Sequence, residues 1–189
     1  INTDFSGRFA TSGGQSWAID TNGNDVTFAT ALNGSASSLT KTGNGTLTLF
    51  GANTFTGATS VSAGTLALSG TGSIATSSGL TLSNTGVFDI SGTTSGATLA
   101  GLISSSGATG VNLGANTLNV SLSGSNSFAG VISGTMGGVT QSGTGTLTLS
   151  GANTYTGSTT VNGGTLALSG TGSIATSSGL TLSNTGVFD

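Results

Sequence analysis

Along much of this chain aliphatic residues alternate with Thr, Ser or Ala, as in Thr46-Leu47-Thr48-Leu49 and Thr65-Leu66-Ala67-Leu68. A period of two is what a half-buried strand requires, so Leu is expected to point inward and Thr outward. Between such runs lie Gly- and Asn-containing turns, among them Gly51-Ala52-Asn53, Ser83-Asn84-Thr85-Gly86 and Gly114-Ala115-Asn116. Glycine at a tight corner supplies positive φ without steric cost, and Asn at a corner can do likewise and can stack. Helix is disfavoured, because Gly costs about 1 kcal/mol per helical site and Thr, Ser and Asn are mediocre helix formers.

The strands belong to a long repeat. The stretch Leu39 to Gly70 returns at Val139 to Gly170 after an offset of 100 residues. Between Lys41–Asp89 and Gln141–Asp189 only nine of 49 positions differ, and Gly64 to Asp89 reappears unaltered as Gly164 to Asp189. The offset is faint further upstream, where it pairs Phe28-Ala29 with Phe128-Ala129, Gly34 with Gly134 and Thr40 with Thr140. The sequence therefore divides into diverged coils over 1–38, a first long repeat over 39–138 and a second, truncated one over 139–189, all within one continuous β-helix.

The apolar positions Val61, Leu80, Leu99, Leu118, Val139 and Val161 follow at intervals of 19, 19, 19, 21 and 22 residues. That spacing predicts an all-β fold, a right-handed single-stranded parallel β-helix with about 20 residues per coil, five coils to each 100-residue repeat and roughly nine coils in all. An antiparallel sandwich is the rival, but it gives no reason for coils of near-constant length. Where the two copies differ, the substitutions are read as outward or turn-side. Phe50 becomes Ser150, Lys41 becomes Gln141, Asn44 becomes Thr144, and Phe55 becomes Tyr155, a ring whose para position is expected to reach water.

Composition narrows the function. The 189 residues include 35 Gly, no Pro, no Cys and no His, with 4% charged residues and a net charge of −3. Gly and Ser at this level often mean a disordered linker, but here the β-branched residues alternate regularly and net charge is low, so an ordered repeat is expected. With Arg8 and Lys41 as the only cations there is no basic patch, and nucleic acid is not an expected partner. No apolar run approaches the roughly 18 residues of a membrane span, so any signal sequence or membrane anchor is expected to lie outside these residues. Asp189 is the last residue, whereas its counterpart Asp89 runs on into Ile90-Ser91-Gly92, so a longer repetitive protein is expected. An uncapped last coil would be a sheet edge able to pair with another chain.

The segments KTGNGTLTLFGANTFTG and GTLALSG, returning as QSGTGTLTLSGANTYTG and GTLALSG, resemble the passenger-associated transport repeat of Gram-negative autotransporters. The intervening NSFAGVISG at Asn126 to Gly134 resembles the flanking coils of such passengers. The resemblance implies a β-helical stalk exported through the outer membrane to the cell surface or released from it, with a translocator barrel downstream. It implies an adhesin or extracellular matrix scaffold, and its partners would be host or neighbouring-cell surface molecules. The alternative is a subunit that stacks end to end into an extracellular filament, and a third reading is a hydrolase carried on the solenoid.

Catalytic chemistry is thinly supplied, since the acids are Asp4, Asp20, Asp25, Asp89 and Asp189 and Glu is absent. A paired-carboxylate site would need two of these brought together, and Asp20 with Asp25 is the pair to examine; turn or surface Asp is the bland reading. Asn22-Gly23-Asn24-Asp25 could offer oxygen ligands to calcium, or be an Asx-rich turn. Gly70-Thr71-Gly72-Ser73 and its copy at Gly170 imitate a phosphate loop without a following helix. Asn33, Asn44 and Asn119 begin glycosylation sequons of a kind that this composition produces by chance. The paired hydroxyls of Thr46 and Thr48, and of Thr146 and Thr148, match an ice-binding face only if nearly every coil carries them. Trp17 reads as a buried coil-end ring, and Phe50 as an outward aromatic contact. No enzyme activity, cofactor or metal is expected.

Overall fold

Alternation and turn chemistry generate a β-solenoid. The computed structural model describes residues 4, 6–9 and 13–189, and Phe5, the chain neighbour of Asp4, lies outside them. Among the described residues there is a single 3-10 turn, Ser6–Arg8, and no α-helix. The remaining elements are strands, and among the described residues every ladder between them is parallel. The chain winds through about eight turns of about 21 residues.

Each turn has three sides. The first side carries β1 (Ser16–Asp20), β3 (Ser38–Thr42), β5 (Thr59–Val61), β7 (Leu80–Leu82), β10 (Leu102–Ile103), β13 (Ser125–Phe128), β16 (Thr146–Leu149), β18 (Thr165–Leu168) and β20 (Val187–Phe188). On the second side lie β2 (Val26–Phe28), β4 (Thr46–Leu49), β6 (Thr65–Gly70), β8 (Val87–Thr93), β11 (Gly110–Asn112) and β14 (Val131–Ser133). The third side begins as irregular chain, bridged at Ala52 and Ser73. It becomes a sheet of β9 (Ala97–Leu99), β12 (Thr117–Leu122), β15 (Gly138–Gly143), β17 (Thr159–Val161) and β19 (Leu180–Leu182). Between β10 and β13 the ladder of the first side is reduced to the Ser104–Phe128 bridge, where Ser104 N donates to Ser127 O at 3.0 Å and Ala129 N donates to Ser104 O at 3.0 Å, with Leu102 N donating to Asn126 Oδ1 beside it.

The core is the stack of inward residues. Phe28, Leu49 and Leu68 lie above one another on successive strands of the second side, and Phe128, Leu149 and Leu168 do so on the first. Leu47, Leu49, Leu66, Leu80, Phe88, Leu118 and Val120 are fully buried, while Thr46 and Thr48 are half-buried on the outer surface, as the alternation predicts. Trp17 closes the lower part of the column, packed edge-on to Phe55 at 5.6 Å.

Two expectations about the winding are corrected. The apolar set that starts at Val61 is not one column. Val61 stacks between Lys41 and Leu82, and Leu80 between Thr59 and Leu102, on the first side, whereas Leu99 stacks under Val120 and Leu118 under Val139 on the third. Nor does the 100-residue repeat hold five coils. β3 is on the first side and its sequence equivalent β15 on the third; β4 is on the second and its equivalent β16 on the first. Likewise Thr54 N donates to Leu32 O on the third side, while Thr154 N donates to Ile132 O of β14 on the second. The repeat thus spans four full turns and two sides, and the second copy is turned about the axis by one side relative to the first. The spacing of Leu and Val could not show this, because inward residues recur within each turn on all three sides.

Candidate functional site

The polar groups that enter the column are the chemically distinctive ones. The parity that aims Leu39 inward from β3 also aims Lys41 inward, and its side chain is fully covered, not turn-side as the sequence suggested. Its ammonium is satisfied by main-chain carbonyls: Nζ donates to Thr42 O at 2.8 Å, Gly43 O at 2.7 Å and Ala63 O at 3.1 Å. Burial lowers its pKa, and the Asp20 carboxylate works in the opposite direction. Gln141, its equivalent, is equally covered and donates through Nε2 to Gly145 O at 3.1 Å.

Hydroxyls also point inward. Thr59 takes an inward place between Leu39 and Leu80, and its Oγ1 lies 3.0 Å from Ser77 Oγ. In the second copy Tyr155 is fully buried, so its hydroxyl reaches a protein partner and not water: it lies 2.6 Å from Thr159 Oγ1, which donates to Ser177 Oγ at 2.9 Å. Burial raises the phenol pKa, with the bond to Thr159 acting against it. The signal for these inward hydroxyls was present, since Thr59 and Thr159 stand two residues before Val61 and Val161. Alternation read by parity alone would have found them.

At the GAN corner, Asn53 replaces a missing stretch of ladder. Its Oδ1 accepts from Leu32 N at 2.7 Å, and Nδ2 donates to Gly51 O and Ser73 O, both at 2.9 Å. Asn153 repeats the arrangement with Ile132 N, Gly151 O and Ser173 O.

On the outer surface a cleft of about 380 Å³ opens where the third side meets the first, within the first long repeat. Gly79, Thr81, Gly101, Ile103, Ser123 and Asn126 are among the residues that line it. Ile103 is 44% exposed there, and Asn126 is tied to the wall through Oδ1, which accepts from Leu102 N at 3.0 Å. The lining carries no charged side chain, so it offers a neutral, shallow recess and no acid or base.

Asp4, Asp20, Asp25 and Asp89 are each engaged with separate hydrogen-bond donors. Asp20 Oδ1 accepts from Asn22 N at 2.8 Å, and Asp25 Oδ1 from Thr46 N on the next rung at 3.0 Å. Asp89 accepts from Ser91 N and from Asn112 Nδ2, and Asp4 from Ala29 N. Asn22 to Asp25 form a corner with Asn22 at φ 45°, and Asn24 Nδ2 donates back to Thr21 O and Asn22 O. Among the described residues no three His, Cys, Asp or Glu side chains gather as a metal site would need. Gly70 to Ser73 make a corner followed by a turn; Thr71 Oγ1 donates to Phe50 O and Ser73 Oγ accepts from Ala75 N. The outward row through Thr48 runs Thr27, Thr48, Ala67, Asp89, Asn112 and Ser133, which is not a threonine ladder. Sequon residues Asn33 and Asn119 accept from Thr54 Oγ1 and Ser142 Oγ. Phe50 is 42% exposed, whereas Trp17 is buried.

Ladder, corners and inlaid polar groups together define a repetitive parallel β-solenoid in which polar side chains mostly serve the backbone. The model of the passenger-associated transport repeat matches residues 39–68 and 139–168, about a third of the chain. The chain carries two copies of that repeat, and repeat and fold together fit the stalk of an autotransporter passenger. No curated protein and no solved structure matches the chain.

Proposed function

We propose that this chain is part of a surface-exposed or released stalk of an autotransporter-type protein, working as an adhesin or matrix scaffold and not as an enzyme. The observation that carries this reading is the continuity of the column: both transport repeats are rungs of one parallel stack, each burying its apolar side only against its neighbours. Such a rod gives reach, and its outer rows of Thr, Ser and Asn give many weak contacts that add through multivalency. Host or neighbouring-cell surface molecules are the partners of this reading, and the Gram-negative cell surface is its location. The test is to delete residues 39–138 from the full-length protein in its own cell. Loss of cell–cell or cell–matrix adhesion, with export of the shortened passenger verified by protease shaving, is expected; unchanged adhesion would overturn it.

A second reading is a filament built by end-to-end stacking, joined by the same parallel strand pairing that links one rung to the next. Electron microscopy across a concentration series tests it, since rods that stay one chain long would exclude it.

A further inference from the structure

One corner of the column is built twice with different side chains in it. In the first repeat the Lys41 ammonium is held by the carbonyls of Thr42, Gly43 and Ala63. In the second, Gln141 enters at the same place, is 0% exposed, and its Oε1 has no hydrogen-bond partner; no other buried side-chain nitrogen or oxygen among the described residues is left so. The backbone around it is repeated, with φ of 74° at Gly43 and 84° at Gly143, and 63° at Gly64 and 62° at Gly164. The second corner therefore gathers the carbonyls of Ser142, Gly143 and Gly163 where the first gathers those that bind the ammonium. A carbonyl and an amide oxygen can only accept. A corner from which the cation has been removed and to which another acceptor has been added calls for a positive or donating occupant.

The substitutions around it changed together. Lys41→Gln is accompanied by Thr42→Ser, Asn44→Thr, Ser62→Asn and Ala63→Gly, five of the nine differences between the copies. The last removes a methyl from the corner itself: a Cβ at Gly163 would stand 2.9 Å from Gly143 O. We propose that the Gln141 corner binds a monovalent alkali cation through Gln141 Oε1 and the carbonyls of Ser142, Gly143 and Gly163, doing in the second repeat what the Lys41 ammonium does in the first. The charge is set by the surroundings. Asp20 flanks the first corner, but beneath the second the paired residues are Ser121 and Leu122, so no carboxylate faces the ion. A divalent cation would be desolvated without a carboxylate to compensate, whereas rings of neutral carbonyls suffice to replace the hydration shell of potassium.

Thallium(I) serves as the probe for potassium. Crystals of this chain grown in thallium acetate should show an anomalous peak within coordination distance of Gln141 Oε1 and none beside Lys41. The Gln141→Lys variant, which copies the first corner, should lose the peak. In solution, at fixed ionic strength, raising potassium in place of choline should displace the unfolding equilibrium of the unaltered chain by up to about tenfold per tenfold rise in concentration above saturation. The variant should show no difference between the two salts. Density refining as water with no anomalous signal, together with equal unfolding midpoints in potassium and choline, would overturn the proposal.

Discussion

Tyr155 and Lys41 give single residues a measurable signature. A phenol whose folded pKa is raised keeps its proton while the unfolded chain loses it, so Tyr155 contributes a stability that is lost as pH rises beyond about 10. Tyr155→Phe, which restores the residue of the first copy, should abolish that alkaline decline in a denaturant titration. It should cost about 0.5–1.5 kcal/mol near neutrality, because Thr159 keeps Ser177 as a partner. For Lys41 the sign is opposite. Its folded pKa is lowered, so the unfolded chain binds the proton more tightly, and stability rises with pH from the folded pKa up to the unfolded value near 10.4. Lys41→Gln should flatten that rise. Glycine geometry supplies a matched pair. Gly64 and Gly70 have φ of 63° and 59°, but a Cβ at Gly64 would strike the carbonyl oxygens of Gly45 and Gly43, whereas at Gly70 it meets only Phe50 Cδ1 at 3.7 Å. Both Ala variants carry left-handed strain of about 1–2 kcal/mol, and Gly64→Ala should be the more destabilising in the same titration. Which residues alternate was legible in the chain; which polar residues share the parity of Leu was legible too, but the bland assignment of polar residues to the outside concealed Lys41 and Thr59.

Strands of two to seven residues cannot stand alone, and the corners decide whether they stack. Asn53 is the corner element with the largest consequence, because it supplies the acceptor for a buried Leu32 N–H and donors for two carbonyls. Asn53→Ala should destabilise the chain by about 1–3 kcal/mol through that orphaned amide, and amide exchange at Leu32 should quicken more than at Leu47. The sequence marked GAN as a corner and raised stacking of its Asn, yet it could not show that the side chain bonds the rung below and the rung above, since that depends on register. Register is also where the expected intervals went astray. A turn is closed by three sides whose corners differ in length, so the distance from Leu to Leu along the chain mixes steps within a turn with steps between turns.

At the scale of the whole molecule, parallel stacking, solenoid winding and the transport repeat were legible because each leaves a period in the chain, whereas the angular relation of the two copies left none. That relation is testable with spin labels, and the lack of cysteine makes the labelling clean. Thr48→Cys and Thr148→Cys place labels at equivalent outward positions on the second and first sides. Four turns and two sides rise about 22 Å at the strand spacing of a stacked sheet. A dipolar distance well beyond that rise is expected, because the labels stand on different sides; a distance equal to the rise would mean that the copies are aligned. The offset has a bearing on how such a rod meets its surroundings. In a passenger bearing three of these 100-residue units, any patch occurring once per unit would wind round the shaft like the treads of a spiral stair, and a cell drifting in from whatever direction would find one turned towards it.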